Sequence, residues 1–226
     1  MTQDEAKRLA ARAALELLPH EGVVGLGSGS TAALFIDEVG ALVDEGRKLR
    51  GVPTSEASRA QAERLGIPLL PDTGPWEIDV TVDGADEVSE ALDLIKGGGG
   101  CHAREKIVNH ASKRNVIVVD DSKTSRRLGE KWPVPVEVLK FGAEATALSL
   151  GRIGPVALRK KGGAPWITDA GNLIYDVHAG PIDDPAELDR RLRGIPGVVE
   201  TGLFVNRADL VLVAGKDGVK RLGKPG

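Results

Sequence analysis

Short apolar runs alternate with longer amphipathic stretches through the first half of the chain. Residues 23–26 form one such run, and residues 31–43 carry the periodicity of a helix. The rhythm repeats with a run at 49–53 before a helical stretch at 55–65. A further run lies at 78–82, and a helix over about 101–112 feeds a run at 115–119. Strands that are apolar along their whole length suit a parallel sheet covered on both faces. This half therefore predicts an α/β fold with a Rossmann-like, doubly wound parallel sheet. Ahead of it, residues 1–18 mix charges with Leu9, Ala13 and Leu17 on one helical face, which predicts a helix docked through that face.

From about residue 128 the texture changes. Runs at 134–139, 156–159 and 166–177 lie close together with helical stretches at 144–150 and 185–193, the pattern of locally paired strands in a smaller α+β domain. Thr168-Asp169-Ala170-Gly171-Asn172-Leu173 reads as a hairpin turn, with Gly171 and Asn172 supplying left-handed positions. The runs at 198–205 and 210–213 close the chain. A return to the first sheet is expected there, because the last strand needs partners and that sheet offers an edge. The expected division is residues 1–128 plus 206–226 for a Rossmann-like catalytic domain and residues 129–205 for the small α+β domain.

Composition narrows the function. At 226 residues, 41% hydrophobic and 28% charged, the chain is an ordinary globular protein with room for one large domain or a medium and a small one. A formal net charge of -3 argues against general capture of nucleic acid, and 3% aromatics leave few platforms for stacking bases. The single cysteine excludes an intrachain disulfide and a multi-cysteine zinc site. No run approaches the roughly 20 apolar residues of a membrane helix, and the charged N-terminus lacks a signal-peptide core. The expectation is a cytoplasmic protein with neither nucleic acid nor membrane as a partner.

Four segments carry candidate chemistry, each directly after a predicted strand. Gly25-Leu26-Gly27-Ser28-Gly29-Ser30-Thr31 opens a helix, so its amides and hydroxyls can converge on an anion such as phosphate. It has no Walker lysine and lacks the full dinucleotide spacing, and a tight turn with Ser30 capping the helix is the alternative. Val82-Asp83-Gly84-Ala85-Asp86-Glu87 puts three carboxylates at the edge where open α/β sheets bind ligands, suited to sugar hydroxyls or equally to a divalent cation or to solvent. Lys96-Gly97-Gly98-Gly99-Gly100-Cys101-His102-Ala103-Arg104-Glu105-Lys106 joins a cation to four glycines, which a bland turn explains poorly and close backbone approach to a ligand explains better. Glu105 falls in the first turn or so of the next helix, where the dipole favours an ionised base, whereas Arg104 and Lys106 read as surface or ion-pair residues. Asp120-Asp121-Ser122-Lys123 offers Lys123 as a second charge for a phosphate seat. Cys101 has no supporting pattern, and the histidines show no metal-binding spacing.

Taken in order and spacing, these segments resemble the A-type ribose-5-phosphate isomerases. The likeness continues through Lys131-Trp132-Pro133-Val134-Pro135-Val136-Glu137-Val138 and Ile195-Pro196-Gly197-Val198-Val199 to Gly202-Leu203-Phe204, so it spans nearly the whole chain. The sequence departs from the family at 100–103, where Ala-Ala-Leu-Thr or similar is common, and at Asp121, where a small residue is usual. The resemblance implies an aldose-ketose isomerase acting on a sugar phosphate, needing no metal or cofactor, assembled as a homo-oligomer with a dimer favoured. It places the acid-base glutamate at Glu105, the lysine at the reacting oxygens at Lys96, and the substrate-binding aspartates at Asp83 and Asp86. Phosphate binding maps to Gly27, Ser28, Gly29, Ser30 and Thr31 with Lys123, and further substrate contacts to Gly97 and Gly98.

The chemistry agrees with the residues. Aldose-ketose isomerisation moves one proton between adjacent carbons through an enediolate, so a single carboxylate can take it and return it. Lys96 and the amides of the 97–100 loop would face the developing oxyanion. Either Asp83 or Asp86 would move hydroxyl protons in ring opening. A related sugar-phosphate isomerase or deaminase remains open as an alternative. A regulatory sugar-phosphate sensor lacks a DNA-binding helix pair ahead of Gly25, and a nicotinamide dehydrogenase lacks its fingerprint.

Overall fold

The computed structural model of the protein describes residues 1–223; residues 224–226, the end of the first expected domain, lie outside the described residues. From the amino end the chain forms α1 (Gln3–Leu15), β1 (Glu21–Leu26), α2 (Ser30–Asp44), β2 (Lys48–Pro53), α3 (Glu56–Arg64) and β3 (Val80–Asp83). Next come β4 (Glu87–Val88), β5 (Leu94–Ile95), α4 (His102–His110), β6 (Asn115–Asp120) and a 3-10 turn at Asp121–Lys123. The remainder is β7 (Val134–Val138), α5 (Ala143–Leu150), β8 (Val156–Leu158), β9 (Lys160–Lys161), β10 (Ala164–Pro165), β11 (Leu173–Val177), α6 (Pro185–Arg193), β12 (Val198–Thr201), β13 (Leu203–Phe204), β14 (Leu210–Gly215) and β15 (Gly218–Gly223). The chain divides into two compact units: Met1–Ala85 with Arg104–Lys123 and Arg207–Gly226, and Asp86–Ala103 with Thr124–Asn206.

The first unit is built on a six-stranded sheet in the order β15-β14-β6-β3-β1-β2. Its four pairings from β2 to β14 are parallel, and β15 adds an antiparallel edge. The chain leaves β1 for β2 on one side and returns to β3 on the other, so the carboxyl ends of β1 and β3 flank a topological switch point. Alternate residues of β1 explain its uniformly apolar sequence. Val24 and Leu26 enter the core shared with α1 and α2, while Val23 packs on the opposite face with Val52, Ile78 and Val108 of α4. A sheet covered on both faces demands that pattern, and the expected doubly wound fold is present.

The amino-terminal helix docks through a different face from the one expected. Leu9 is 37% exposed, and Ala13 and Leu17 reach only the core margin. The buried face is Ala6, Ala10, Ala11 and Ala14, turned by one residue, about 100°, from the leucine face. Here α1 lies against α2, β6 and β14, and only small side chains let the backbones approach. Its start is fixed by a capping box: the Glu5 amide donates to the Thr2 hydroxyl at 3.2 Å, and Glu5 accepts from the Thr2 amide at 2.6 Å.

The second unit holds an antiparallel sheet in the order β12-β7-β11-β8 and a three-stranded sheet in the order β13-β5-β4. Helices α5 and α6 cover the first of these through Leu150, Leu188 and Leu192. Asp184 caps α6, accepting the Glu187 amide at 2.9 Å, with Pro185 at the first helical position. These are the locally paired strands and two helices that the sequence predicts. Of the closing runs, 210–215 returns to the first sheet beside β6, whereas β12 stays beside β7. The 168–172 turn is confirmed with one change: Gly171 takes the left-handed conformation and Asn172 does not. Asn172 serves the turn through its side chain, donating to the buried Glu137 carboxylate at 2.8 Å.

At the amino edge of the first sheet Asp79 accepts from Lys113 Nζ and from the Val23 amide, both at 2.9 Å. The Lys113 ammonium first, then the Val23 N–H, hold its carboxyl below the usual range. Because the folded value is depressed, this stabilisation is complete above the unfolded value near 3.8 and fades as pH falls through the folded one. Asp79→Asn should therefore be less stable than the parent at pH 7, with the gap closing below about pH 4, as chemical denaturation across that range will show. Ala10→Leu should cost about 1–3 kcal/mol by overpacking α1 against the sheet, read as a lowered melting temperature, while Leu9→Ala should cost far less.

Candidate active site

In the first unit, the loop after β1 lies at the switch point. Gly27 donates its amide to the Val82 carbonyl at 3.1 Å, stitching the loop to the end of β3. Asp83, the last residue of β3 and buried, accepts the amides of Ser28 at 3.0 Å and Gly84 at 2.8 Å. The Ser28 hydroxyl turns inward as well, 2.7 Å from Thr54 Oγ1 and 3.3 Å from Ser58 Oγ, and Ser58 donates to the Gly27 carbonyl at 2.7 Å. Ser28 thus shapes the loop through both its amide and its hydroxyl.

The helix that follows begins without a side-chain cap. Gly29 is the N-cap, so the alternative in which Ser30 caps α2 does not hold: Ser30 is already the first helical residue. The first turn of α2 contains no acidic side chain. The first-turn amides of Ser30, Thr31 and Ala32 lack acceptors within the helix and sit at its positive end. Ser30 is exposed and Thr31 is buried. This arrangement suits an anion.

Two more of the expected residues lie in the same unit. Lys123 ends the 3-10 turn after β6, half-buried, close to Asp120. Burial opposes the charge on Asp120. Hydrogen bonds from Ser122 and Gln3 and the positive Lys123 outweigh that cost, and the carboxyl lies below its ordinary range. Glu105 is in the first turn of α4 and only 5% exposed. Since α4 runs antiparallel to the strand it feeds, its first turn lies at the carboxyl edge of the sheet. Arg104 beside it donates to Glu56 in the first turn of α3 at 2.6 Å, the ion pair that the sequence suggests. Lys106 is 3% exposed, which removes the surface half of the expectation that it is a surface or ion-pair residue.

In the second unit, Asp86, Lys96, Gly97 and Gly98 come together. Lys96 directly follows β5, is buried, donates its amide to the Gly202 carbonyl at 2.9 Å, and holds its ammonium 5.4 Å from the centre of the Phe204 ring. The Gly98 amide donates to Asp86 Oδ2 at 2.6 Å. A Cβ on Gly98 would stand 2.5 Å from Asp86 Oδ1, and one on Gly97, at φ +106°, would meet the buried His102 ring at 2.6 Å. Two of the four glycines are therefore required by the protein's own packing. Gly99 faces open space.

Glu87, grouped by sequence with the two aspartates, does something else. It is fully buried and accepts the amides of Gly129, Lys131 and Trp132 at 2.9, 3.1 and 3.2 Å. Three backbone donors offset the cost of burying a carboxylate and pin the 129–132 segment. Sequence reasoning also missed Arg159, which binds the carbonyls of Gly97 and Gly98 from 62 and 61 residues away. No local signal marks such a contact. Among the described residues no group of three or more His, Cys, Asp or Glu side chains is arranged to hold a metal ion. No helix of the described residues is long and apolar enough to cross a membrane.

Comparison with known proteins identifies relatives of the chain in both sequence and fold. Residues 50–218 match the family model described as Ribose 5-phosphate isomerase A (phosphoriboisomerase A). The ribose-5-phosphate isomerase A of Gluconobacter oxydans is 48% identical, covering 95% of this chain and 94% of that protein. The protein of the same name from Nitrobacter hamburgensis is 45% identical over 97% and 98%. Among solved structures, ribose 5-phosphate isomerase A from Methanocaldococcus jannaschii superposes with a TM-score of 0.94 at 42% identity, covering 99% of this chain and 100% of that one. A D-ribose-5-phosphate isomerase in complex with phospho-erythronic acid superposes with a TM-score of 0.96 at 38% identity over the same shares. With most of its length matched by one family model and nearly all of it by relatives that share fold and sequence, the chain belongs to the ribose 5-phosphate isomerase A family.

Proposed function

We propose that the chain interconverts ribose 5-phosphate and ribulose 5-phosphate by proton transfer through an enediolate, a step of the non-oxidative pentose phosphate pathway. The observation that carries this reading is the pairing, at one sheet edge, of an uncapped helix start suited to phosphate with a buried glutamate in the first turn of α4. A relative's complex with phospho-erythronic acid supports it. The planar anionic carboxylate of such an acid imitates the paired oxygens of an enediolate.

In this reading Glu105 removes the proton from carbon 2 of the open-chain aldose and delivers it to carbon 1, regenerating its carboxylate. The oxygen-bound proton moves between the two oxygens, so the product is the ketose with nothing gained or lost. Lys96 stabilises the developing oxyanion. The Gly98 and Gly100 amides are engaged by Asp86 and the Gly97 carbonyl, so any help from the loop falls to the other two amides. Asp83 and Asp86 accept sugar hydroxyls, and one of the two assists ring opening. The phosphate is held by the loop from Gly27 to Thr31, chiefly at Ser30 and Thr31, with Lys123. The proposal includes the domain division expected from sequence, a homo-oligomer with a dimer favoured, and a cytoplasmic location. The exposed Phe141 and Leu148 offer apolar surface of the kind that oligomers bury. A coupled assay comparing ribose 5-phosphate with amino-sugar phosphates tests the substrate assignment, and preference for the latter would overturn it.

Glu105→Gln keeps shape and hydrogen bonding but removes the exchangeable charge. Its kcat should fall at least about 100-fold with KM within a few-fold, and in deuterium oxide the parent should wash label into carbon 1 whereas the variant should not. Turnover within about tenfold of the parent would transfer the base role to Asp83 or Asp86. Lys123→Ala and Thr31→Val should instead raise KM and weaken inhibition by inorganic phosphate with little change in kcat, because a phosphate remote from the reacting carbons is bound alike in ground and transition states.

A further inference from the structure

The turn after Lys96 is held from outside itself. Arg159 Nη1 donates to the carbonyl of Gly97 and, at 3.1 Å, to that of Gly98. The other edge of the guanidinium is taken by Asp176, with Nε donating to Oδ2 at 2.9 Å and Nη2 to Oδ1. Both side chains are largely buried, at 10% and 16% exposure. The Trp166 ring centre lies 5.9 Å from the guanidinium carbon. The frame behind the pair is rigid: Asp176 is in β11, opposite Ala157 of β8, and the Arg159 amide donates to the Ile174 carbonyl at 2.9 Å.

One peptide group links this clamp to the site. The carbonyl of Gly97 and the amide of Gly98 belong to the same planar unit, so fixing one fixes the direction of the other. Arg159 holds the carbonyl, and the amide on the far side of that plane donates to Asp86 at 2.6 Å. A cation on the carbonyl also polarises the peptide and strengthens its N–H as a donor. Between glycines, which tolerate many backbone conformations, the local restraint on this plane is one turn bond, from the Gly100 amide to the Gly97 carbonyl at 2.9 Å, and Arg159 adds a charged donor to the same oxygen. Only a planar fork can meet a carboxylate along one edge and two carbonyls along another, which a lysine cannot do.

We infer that Arg159, oriented by Asp176, is a positioning residue for the isomerisation: it sets the Gly97–Gly98 peptide plane and through it the Asp86 carboxylate. The inference rests on the proposed role of Asp86 and adds the source of its placement.

A kinetic cycle with ribose 5-phosphate tests it, using Arg159→Gln, Asp86→Ala and the double variant. Arg159→Gln should lower kcat about 10- to 100-fold, the cost of a carboxylate misplaced by about an ångström, with KM within about threefold. In the Asp86→Ala background the same change should cost less than about threefold, because the group it places is already gone. Multiplicative losses, or a raised KM with kcat intact, would overturn the inference. So would a lowered melting temperature with parent-like kcat. Parent-like turnover of Asp86→Ala alone overturns it through its premise, and so separates failure of the Asp86 assignment from failure of the clamp. If Arg159→Gln does not fold, Asp176→Asn, which keeps the side-chain volume and removes the orienting charge, takes its place in the same cycle with the same pattern expected.

Discussion

Asp83 accepts the Ser28 and Gly84 amides, and this small set of bonds joins the end of β3 to the loop after β1. The rest of the first unit's candidate site depends on that constraint. A loop of glycines and serines has no preferred shape of its own, and a buried carboxylate at the neighbouring strand end supplies one. With the Ser28 amide and hydroxyl engaged below, the chain is delivered to α2 with its first-turn amides facing outward. The parallel register of β1 and β3, pairing Leu26 with Val82, brings the carboxylate within reach. Changing that register by one residue would send Asp83 to the other face of the sheet.

The second unit uses the same device with different residues. Acids there are satisfied mostly by backbone or by neutral side chains: the buried Glu87 by three amides, the buried Glu137 by Thr168 and Asn172, and the half-buried Asp86 by Gly98. A buried charge met by several donors is costly to disturb, so each acts as a pin for an otherwise irregular segment. Asp86 and Glu87 are neighbours in sequence and alike in chemistry. Their duties diverge because successive residues of an extended chain point to opposite sides.

The alternation of apolar runs and helical periods determined the doubly wound sheet, since each strand buried on both faces leaves that mark in its own residues. The return of 210–215 to the first sheet followed from the need of an apolar strand for partners. The positions of the loop after β1, Asp83, Lys96, Glu105 and Lys123 were legible because each lies directly after a strand or at a helix start, where short segments carry their own geometry. The docking face of α1 was not legible. Leucines mark an apolar face, but the distance between α1 and the sheet, set by other elements, selected the alanine face.

What the sequence by itself determined is therefore whatever a few neighbouring residues decide: strand and helix periods, the turn chemistry, and which charged and small residues fall at strand ends and helix starts. Only the tertiary structure decided which of those groups are engaged and by what. It turned Glu87 and Ser28 inward, buried Lys106, left α2 without a side-chain cap, and brought Arg159 to the Gly97 and Gly98 carbonyls from some sixty positions along the chain. The reason is physical. Local propensity acts through neighbours in sequence, whereas the pairing of a buried polar group is settled by whichever partner the packed fold places within hydrogen-bond reach.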